Sequence, residues 1–218
     1  MMFDVESARH QMIEQQVRAW EVLDLNVLGA MERVRREEFV PPAYRDIAFA
    51  DMNVPLGHGQ SMLAPKVEGR ILQALGIQPD DRALEIGTGS GFFAACLGQL
   101  ARSVRSIDLY PDFVAAAAGN LRRTGTHNVT VDTADAMSLA EEAAYDVIAV
   151  TGSLPIYDAR FERALALGGR LFVVVGAGPV MEAQRITRAS HGEYVRESLF
   201  EVSIDPLVHA AEPAKFVF

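Results

Sequence analysis

Short apolar segments alternate with helical stretches from Asp80 onward, and this alternation limits the possible folds more than any other feature. Five runs have the length and composition of buried strands: Ala83–Ile86, Val104–Leu109, Val129–Val131, Val147–Val150 and Leu171–Val175. Helical stretches lie between several of them, among them Gly91–Leu100 and Pro111–Arg123. Strands that are buried on both faces and joined by helical crossovers form a parallel sheet with helices on both sides. The pattern therefore predicts an α/β fold with a doubly wound, mostly parallel sheet.

The last part of the chain departs from this alternation. Residues 184–189 and 194–204 have a strand-like composition on either side of a turn at His191-Gly192. Two such segments around a short turn are typical of an antiparallel hairpin, which we expect at the edge of the sheet.

Residues 1 to about 76 indicate helices and loops, with no clear strand. Ser7–Trp20 has its apolar residues on one helical face, and Asp24 is a suitable N-cap for a second helix. The apolar residues expected to face inward from that second helix are Leu25, Leu28, Met31 and Val34. Pro65 begins a third helix that runs to Leu75. We expect a single domain over residues 1–218, with a helical N-terminal extension and cofactor or substrate loop (1–76) and an α/β core (77–218).

The composition excludes several classes of protein. With 50% hydrophobic and 22% charged residues the chain is not disordered, and its net charge of −9 argues against non-specific nucleic-acid binding. The single cysteine, Cys96, excludes an intrachain disulfide and suggests a reducing compartment. The first residues lack the pattern of a signal peptide, and no apolar run approaches the ~18 residues of a membrane helix. We therefore expect a cytoplasmic protein without nucleic-acid or membrane partners. The sequence does not indicate the oligomeric state.

A glycine-rich loop follows the first strand of the predicted sheet. Gly87, Gly89 and Gly91 have the spacing G-x-G-x-G, and Phe92 stands where a dinucleotide fingerprint requires its last glycine. Glu85 precedes the first glycine by two residues and is expected at the mouth of the loop. A carboxylate there would repel a pyrophosphate and attract a cationic amino-acid ligand. This combination disfavours an NAD-dependent dehydrogenase.

Acidic residues follow the next two strands as well. Asp108 ends the second strand, 23 residues after Glu85, where a carboxylate can accept both hydroxyls of a ribose. Asp135, after the third strand, is a candidate acceptor for the exocyclic amine of adenine. Asp132 lies three residues earlier, and a surface charge is the alternative interpretation for either acid. A glycine loop with an acid at each of three strand ends predicts a pocket for S-adenosylmethionine. The expected donor-binding residues are Glu85, Gly87, Thr88, Gly89, Asp108, Leu109, Asp135 and Ala136.

At these residues the chain resembles the protein-L-isoaspartate O-methyltransferase family over nearly its whole length. The family-specific motif is the loop Val54-Pro55-Leu56-Gly57-His58-Gly59-Gln60. Further similar segments are Phe39-Val40-Pro41 with Tyr44, Leu84–Gly91, Tyr145–Ile148, Leu167–Leu171 and Asp205-Pro206-Leu207. The resemblance implies a seven-stranded class I methyltransferase fold, S-adenosylmethionine as donor, and methylation of the side-chain carboxylate of isoaspartyl residues in damaged proteins.

The chain departs from the family directly after Gln60. The family carries Thr-Ile-Ser there and its serine is taken as the active-site residue, whereas this chain has Ser61-Met62-Leu63. Gln60 and Ser61 are therefore the candidate catalytic residues, since Leu63 has no hydroxyl. Two alternatives stay open: a methyltransferase of the same fold with a more apolar small-molecule acceptor, and a non-catalytic relative that binds S-adenosylmethionine.

The predicted chemistry needs neither a general base nor a metal. A carboxylate with a pKa near ~4 is already ionised at pH 7, so methyl transfer to it depends mostly on positioning. The five histidines are scattered, with no pair at metal-ligand spacing: His10, His58, His127, His191 and His209. We expect no metal site, and we expect His58 to pack within its loop rather than to act in catalysis.

Overall fold

The computed structural model describes residues 4–214, and its N-terminal part is helical with one small hairpin. The elements in chain order are α1 (Val5–Met12), α2 (Leu25–Arg33), β1 (Val54–Gly57), β2 (Gln60–Met62) and α3 (Pro65–Leu75). The helix that begins at α1 continues through a π-helical segment to Val17 and a 3-10 turn to Trp20. Asp24 caps α2 by accepting a hydrogen bond from the Asn26 amide, as the sequence predicts.

Two expectations for this region are wrong. Residues 54–62 form an antiparallel hairpin, not a strandless loop. The tight turn between β1 and β2 requires positive φ at Gly57 and Gly59. Glycine adopts that conformation without the Cβ penalty of other residues. Leu25 is 77% exposed although it was expected to face inward. It is the first residue of α2, and the stripe that packs inward comes from the residues that follow, among them Leu28 and Met31.

The main sheet has seven strands and confirms the α/β prediction. The remaining elements are β3 (Arg82–Ile86), α4 (Phe92–Leu100), β4 (Ser103–Asp108), α5 (Pro111–Arg123), β5 (Val129–Thr133), β6 (Tyr145–Leu154), α6 (Arg160–Arg163), β7 (Leu165–Val175), β8 (Met181–Ser190) and β9 (Glu193–Val202). The strand order is β5-β4-β3-β6-β7-β8-β9. Strands β3 to β7 pair in parallel, and β8 and β9 form the predicted antiparallel hairpin at one edge.

Apolar side chains cover both faces of the sheet. One face packs against α3, α4 and the N-terminal helices, with Ile71, Phe92 and Phe172 fully buried. The other face packs around Phe161 of α6 and the chain after β9. Over residues 4–214, no helix is both long enough and apolar enough to span a bilayer.

A fully buried arginine joins the N-terminal segment to α3. The Arg36 guanidinium donates to the Ala48 carbonyl (2.9 Å) and the Leu63 carbonyl (2.7 Å), and it forms an ion pair with Glu68 of α3. A buried charge is tolerated only when it is paired and hydrogen-bonded, and Arg36 meets both conditions. Arg36 therefore holds the segment after β2 through the backbone carbonyl of residue 63, a contact that does not depend on the side chain at that position.

The contact between α3 and the N-terminal helices predicts the effect of two glycine substitutions. A Cβ at Gly69 would lie 2.6 Å from Val17 Cγ1 and 3.3 Å from Met31 Sδ, whereas a Cβ at Gly119 in α5 meets no atom within 4 Å. Both Gly69→Ala and Gly119→Ala gain about 1 kcal/mol of helix propensity. Overpacking should make Gly69→Ala the less stable variant by about 1–3 kcal/mol in urea unfolding. Equal stabilities would show that α3 is not packed this closely.

Candidate active site

A cleft with about 610 Å³ of empty space opens at the carboxyl ends of the parallel strands. It is bounded by the ends of β3, β4 and β6, by β2, and by the chain segment that follows β9. Its lining residues are Gln60, Ser61, Ile86, Gly87, Gly89, Ile107, Asp108, Leu109, Tyr110, Phe113, Ala134, Asp135, Ala136, Thr151, Gly152, Leu207 and Val208. Clefts at this edge of a doubly wound sheet are the usual ligand sites of such folds.

The glycine loop forms the floor of this cleft and has no room for side chains. Gly87, Gly89 and Gly91 all have positive φ (100°, 49° and 84°). A Cβ at Gly87 would lie 2.5 Å from Thr151 Oγ1, and one at Gly89 would lie 2.9 Å from Leu56 Cδ1. The loop therefore presents its backbone directly to the cleft, as close contact with a ligand requires.

Asp108 lies beside the loop and is held by it. Its Oδ2 accepts a hydrogen bond from the Gly89 amide (2.9 Å), and its Oδ1 accepts one from the Tyr110 amide (3.0 Å). Burial raises the pKa of Asp108, and the two amide hydrogen bonds oppose that rise. Each carboxylate oxygen keeps acceptor capacity toward the cleft, which suits it to the hydroxyls of a ribose.

Asp135, and not Asp132, faces the cleft. Asp132 forms an exposed ion pair with Arg105 (2.9 Å) and does not line the cleft. Asp135 Oδ1 accepts from the Met137 amide and its Oδ2 contacts His209 Nδ1, both at 2.8 Å. Partial burial alone would raise the pKa of Asp135, but the hydrogen bonds from His209 and Met137 hold it below its usual value. Leu109 and Ala136 follow the two acids at the same rim.

Glu85 corrects the expectation that it stands at the mouth of the loop. It belongs to β3, is fully buried, and lines a second, smaller cavity beside the loop. The strand continues to Ile86 before the chain turns, so the Glu85 side chain is directed into the layer between sheet and helices. Ser106 donates to Glu85 Oε2, whereas Oε1 is buried with no partner among residues 4–214. Burial raises its pKa well above the usual value.

The second cavity adjoins the cleft through shared lining residues. Ser61, Gly87, Gly89 and Thr151 border both spaces. The other residues around the second cavity are Leu56, Met62, Leu63, Glu68, Glu85, Thr88, Ser90 and Phe93. An extended ligand could therefore occupy the cleft and reach past the glycine loop into this cavity.

The two candidate catalytic residues lie on the β2 side of the cleft. Gln60 and Ser61 of β2 both line the cleft, and Ser61 also borders the cavity. Leu63 lies in the cavity wall with its side chain largely buried. Thr88 contacts the Ser106 hydroxyl at 2.6 Å and so belongs to the hydrogen-bonded group around Glu85.

The His58 ring packs across the cleft rim. It stacks on Tyr110 with ring centroids 4.0 Å apart, and its Nε2 lies 3.0 Å from Asp112 Oδ2. This contact fastens the β1–β2 turn to the start of α5.

Several site residues were not found from the sequence. Thr151 at the end of β6 donates to the carbonyls of Ile86 and Gly87 (2.9 Å each), and Glu68 lines the cavity from α3. The sequence did contain a signal for Glu68, since it shares the helical spacing of the buried residues Ile71, Leu72 and Leu75.

Among residues 4–214, no three His, Cys, Asp or Glu side chains cluster in a way that could hold a metal ion.

The residues present fit S-adenosylmethionine. The cleft offers Asp108 and Asp135 beside a glycine loop, and in the adjoining cavity Glu85 Oε1 has no hydrogen-bond partner within the described part of the chain. Together with the seven-stranded sheet, these features define a class I methyltransferase.

Comparison with known proteins identifies the family within that class. The family model for protein-L-isoaspartate (D-aspartate) O-methyltransferase matches residues 7–212. The chain is 40% identical over 207 residues to protein-L-isoaspartate O-methyltransferase 2 of Marinobacter nauticus, covering 94% of each chain. It is 37% identical over 201 residues to the protein-L-isoaspartate O-methyltransferase of Koribacter versatilis, covering 92% of this chain and 90% of the relative. The chain belongs to the protein-L-isoaspartate O-methyltransferase family.

A solved structure shares the fold at low sequence identity. The crystal structure assigned to a protein-L-isoaspartate O-methyltransferase of Plasmodium falciparum, in complex with S-adenosyl-L-homocysteine, superposes with a TM-score of 0.79 at 19% identity. The match covers 91% of this chain and 97% of the other. It confirms the predicted seven-stranded architecture.

The position of Asp108 predicts a loss of donor binding on substitution. Asp108→Ala should weaken the binding of S-adenosylhomocysteine by about 1–3 kcal/mol, because hydrogen bonds to a charged acceptor are lost. Isothermal titration calorimetry measures this directly. Asp132→Ala is the matched control, since it removes an exposed aspartate near the same sheet edge without touching the cleft. Unaltered affinity in Asp108→Ala would refute the ribose assignment.

Proposed function

We propose that this chain uses S-adenosylmethionine to methylate the carboxylate of L-isoaspartyl residues in damaged proteins. The observation that carries the proposal is the pair of adjoining spaces around the glycine loop, in a chain of this family. One space would present acids to a nucleoside, and the other is lined by the buried Glu85 carboxyl, whose Oε1 has no hydrogen-bond partner among residues 4–214. We infer a cytoplasmic location from the single buried cysteine, which suits a reducing compartment.

The assignment of donor-binding residues follows the geometry. Asp108 would accept from the ribose, with Leu109 beside it, while Asp135 and Ala136 would border the adenine. The backbone of Gly87, Thr88 and Gly89 would run along the thioether chain, toward Glu85. When bound, the donor supplies an electrophilic methyl group on a positively charged sulfonium. Ser61 lies at the junction of the two spaces and Gln60 lines the cleft beside it, so they are the polar side chains best placed to orient an acceptor.

The protein's contribution to the reaction is position and exclusion of water. An isoaspartyl carboxylate is ionised at neutral pH and needs no general base. Leu56, Met62, Leu63 and Phe93 make part of the cavity wall apolar, which strengthens the attraction between an anionic acceptor and a cationic donor centre. Hydrogen bonds from Gln60 and Ser61 would then hold the carboxylate in line.

One observation favours a second acceptor class. Leu63, at the position of the family serine, is buried in the cavity wall next to Met62. A small, more apolar molecule carrying a carboxyl or hydroxyl group would fit such a wall. A protein that binds the donor without turning it over is the third reading.

A peptide assay distinguishes these readings. The protein is incubated with methyl-labelled S-adenosylmethionine and an isoaspartyl peptide, with the aspartyl peptide of the same sequence as control. We expect base-labile label on the isoaspartyl peptide alone, since only its carboxylate has the required placement. Donor binding by calorimetry without label on either peptide would favour the other acceptor class or the non-catalytic reading.

A substitution at position 63 tests the departure from the family. Leu63→Ser restores the hydroxyl and should raise turnover on the isoaspartyl peptide up to roughly tenfold, by adding one hydrogen bond to a charged group. Leu56→Ser adds a hydroxyl elsewhere in the same cavity and should not raise it. An unchanged or lower rate in Leu63→Ser would indicate that this segment is adapted to a different acceptor.

A further inference from the structure

The second cavity contains two buried carboxyl groups. Glu85 of β3 is fully buried and Glu68 of α3 is 2% exposed, and both line this space. They are close enough for the charge of Glu68 to raise the pKa of Glu85. Two acids facing one small cavity, one of them with an unpartnered oxygen, form an arrangement that a purely structural core does not require.

When Glu85 is ionised, the charges around this cavity do not balance within the protein. Arg36 is paired with Glu68 Oε2, and its remaining contacts go to the carbonyls of Ala48 and Leu63. With both glutamates ionised the group carries one net negative charge, and burial disfavours it. Burial accordingly raises the pKa of Glu68 to about 7 even though Arg36 opposes the rise. A cation in the cavity would remove the imbalance.

We propose that Glu68 is a donor-binding residue that, beside Glu85, receives the α-ammonium group of the donor and selects ligands that carry this amine. This inference rests on the proposed function, because it assumes that the thioether chain of the donor enters the cavity past Gly87 and Gly89. The ammonium has three donor hydrogens, enough to engage both carboxylates.

Arg36 gives Glu68 its orientation and links it to the acceptor side. The same guanidinium that binds Glu68 Oε2 also holds the Leu63 carbonyl, at the position where the family carries its serine. An ion pair that only attached α3 to the N-terminal segment would not need to lie beside the second cavity. Glu68 borders that space, so its carboxyl is available to a ligand as well as to Arg36.

The test compares two ligands that differ in one group. S-adenosylhomocysteine and its deamino analogue, which carries hydrogen in place of the α-amine, are titrated calorimetrically against the wild-type protein and Glu68→Gln. Glutamine preserves the volume of the side chain and an acceptor for Arg36 while it removes the charge. We expect S-adenosylhomocysteine to bind roughly tenfold or more weakly to the variant, since a charge-assisted hydrogen bond is lost. Binding of the deamino analogue should stay within about threefold of wild type on the same grounds.

Two further variants keep the inference open to refutation. Glu37→Gln removes a half-buried ion-paired glutamate that does not line the cavity, and it should leave both affinities unchanged. If Glu68→Gln does not fold, the double variant Arg36→Met with Glu68→Met replaces the buried pair by apolar groups of similar length, an exchange that proteins often tolerate. It should show the same selective loss.

The outcomes separate this inference from the function on which it rests. Equal losses for both ligands, or no loss for either, would overturn the assignment of Glu68 while leaving donor binding by the wild type intact. A wild-type protein that binds neither ligand would overturn the donor site itself, and the role of Glu68 with it.

Discussion

The position of β3 in the middle of the sheet is the constraint on which the site depends. Its neighbours β4 and β6 lie on opposite sides, so the chain leaves β3 in one direction and later returns on the other side. Such a reversal opens a crevice at the carboxyl ends of the strands. The glycine loop begins at this point, and it can turn sharply there only because three glycines accept positive φ.

Buried charge connects this crevice to the N-terminal part of the chain. Arg36 and Glu68 bring the segment after β2 and the start of α3 against the loop, and Glu85 lies in the same layer. Buried ion pairs contribute little net stability compared with apolar packing, so stability alone does not account for these buried charged groups. Neutralising a cationic ligand is the task that their charges fit.

Much of the fold could be predicted because its signals are local. Apolar runs and the positions of proline and glycine, which are signals that span only a few residues, predict several elements of the fold. These are the strands β3 to β7, the helices α4 and α5 and the C-terminal hairpin. The β1–β2 hairpin was missed because its strands are only four and three residues long and give no alternating pattern to read. Leu25 was placed on the wrong face because the inward stripe of α2 depends on what packs against it.

The sequence by itself determined the class of protein and predicted many of the residues that line the cleft. The glycine spacing, Asp108 and Asp135 are tied to strand ends, and parallel strands bring their ends to one edge whatever the details of packing. The division of the chain into extension and core remains a prediction of the sequence. Only the tertiary structure decided that Glu85 is buried, that Asp135 and not Asp132 faces the cleft, and that Glu68 lines the second cavity while paired with Arg36. Burial and charge balance depend on residues that are far apart in the chain, and a local sequence pattern does not predict which of these residues come into contact.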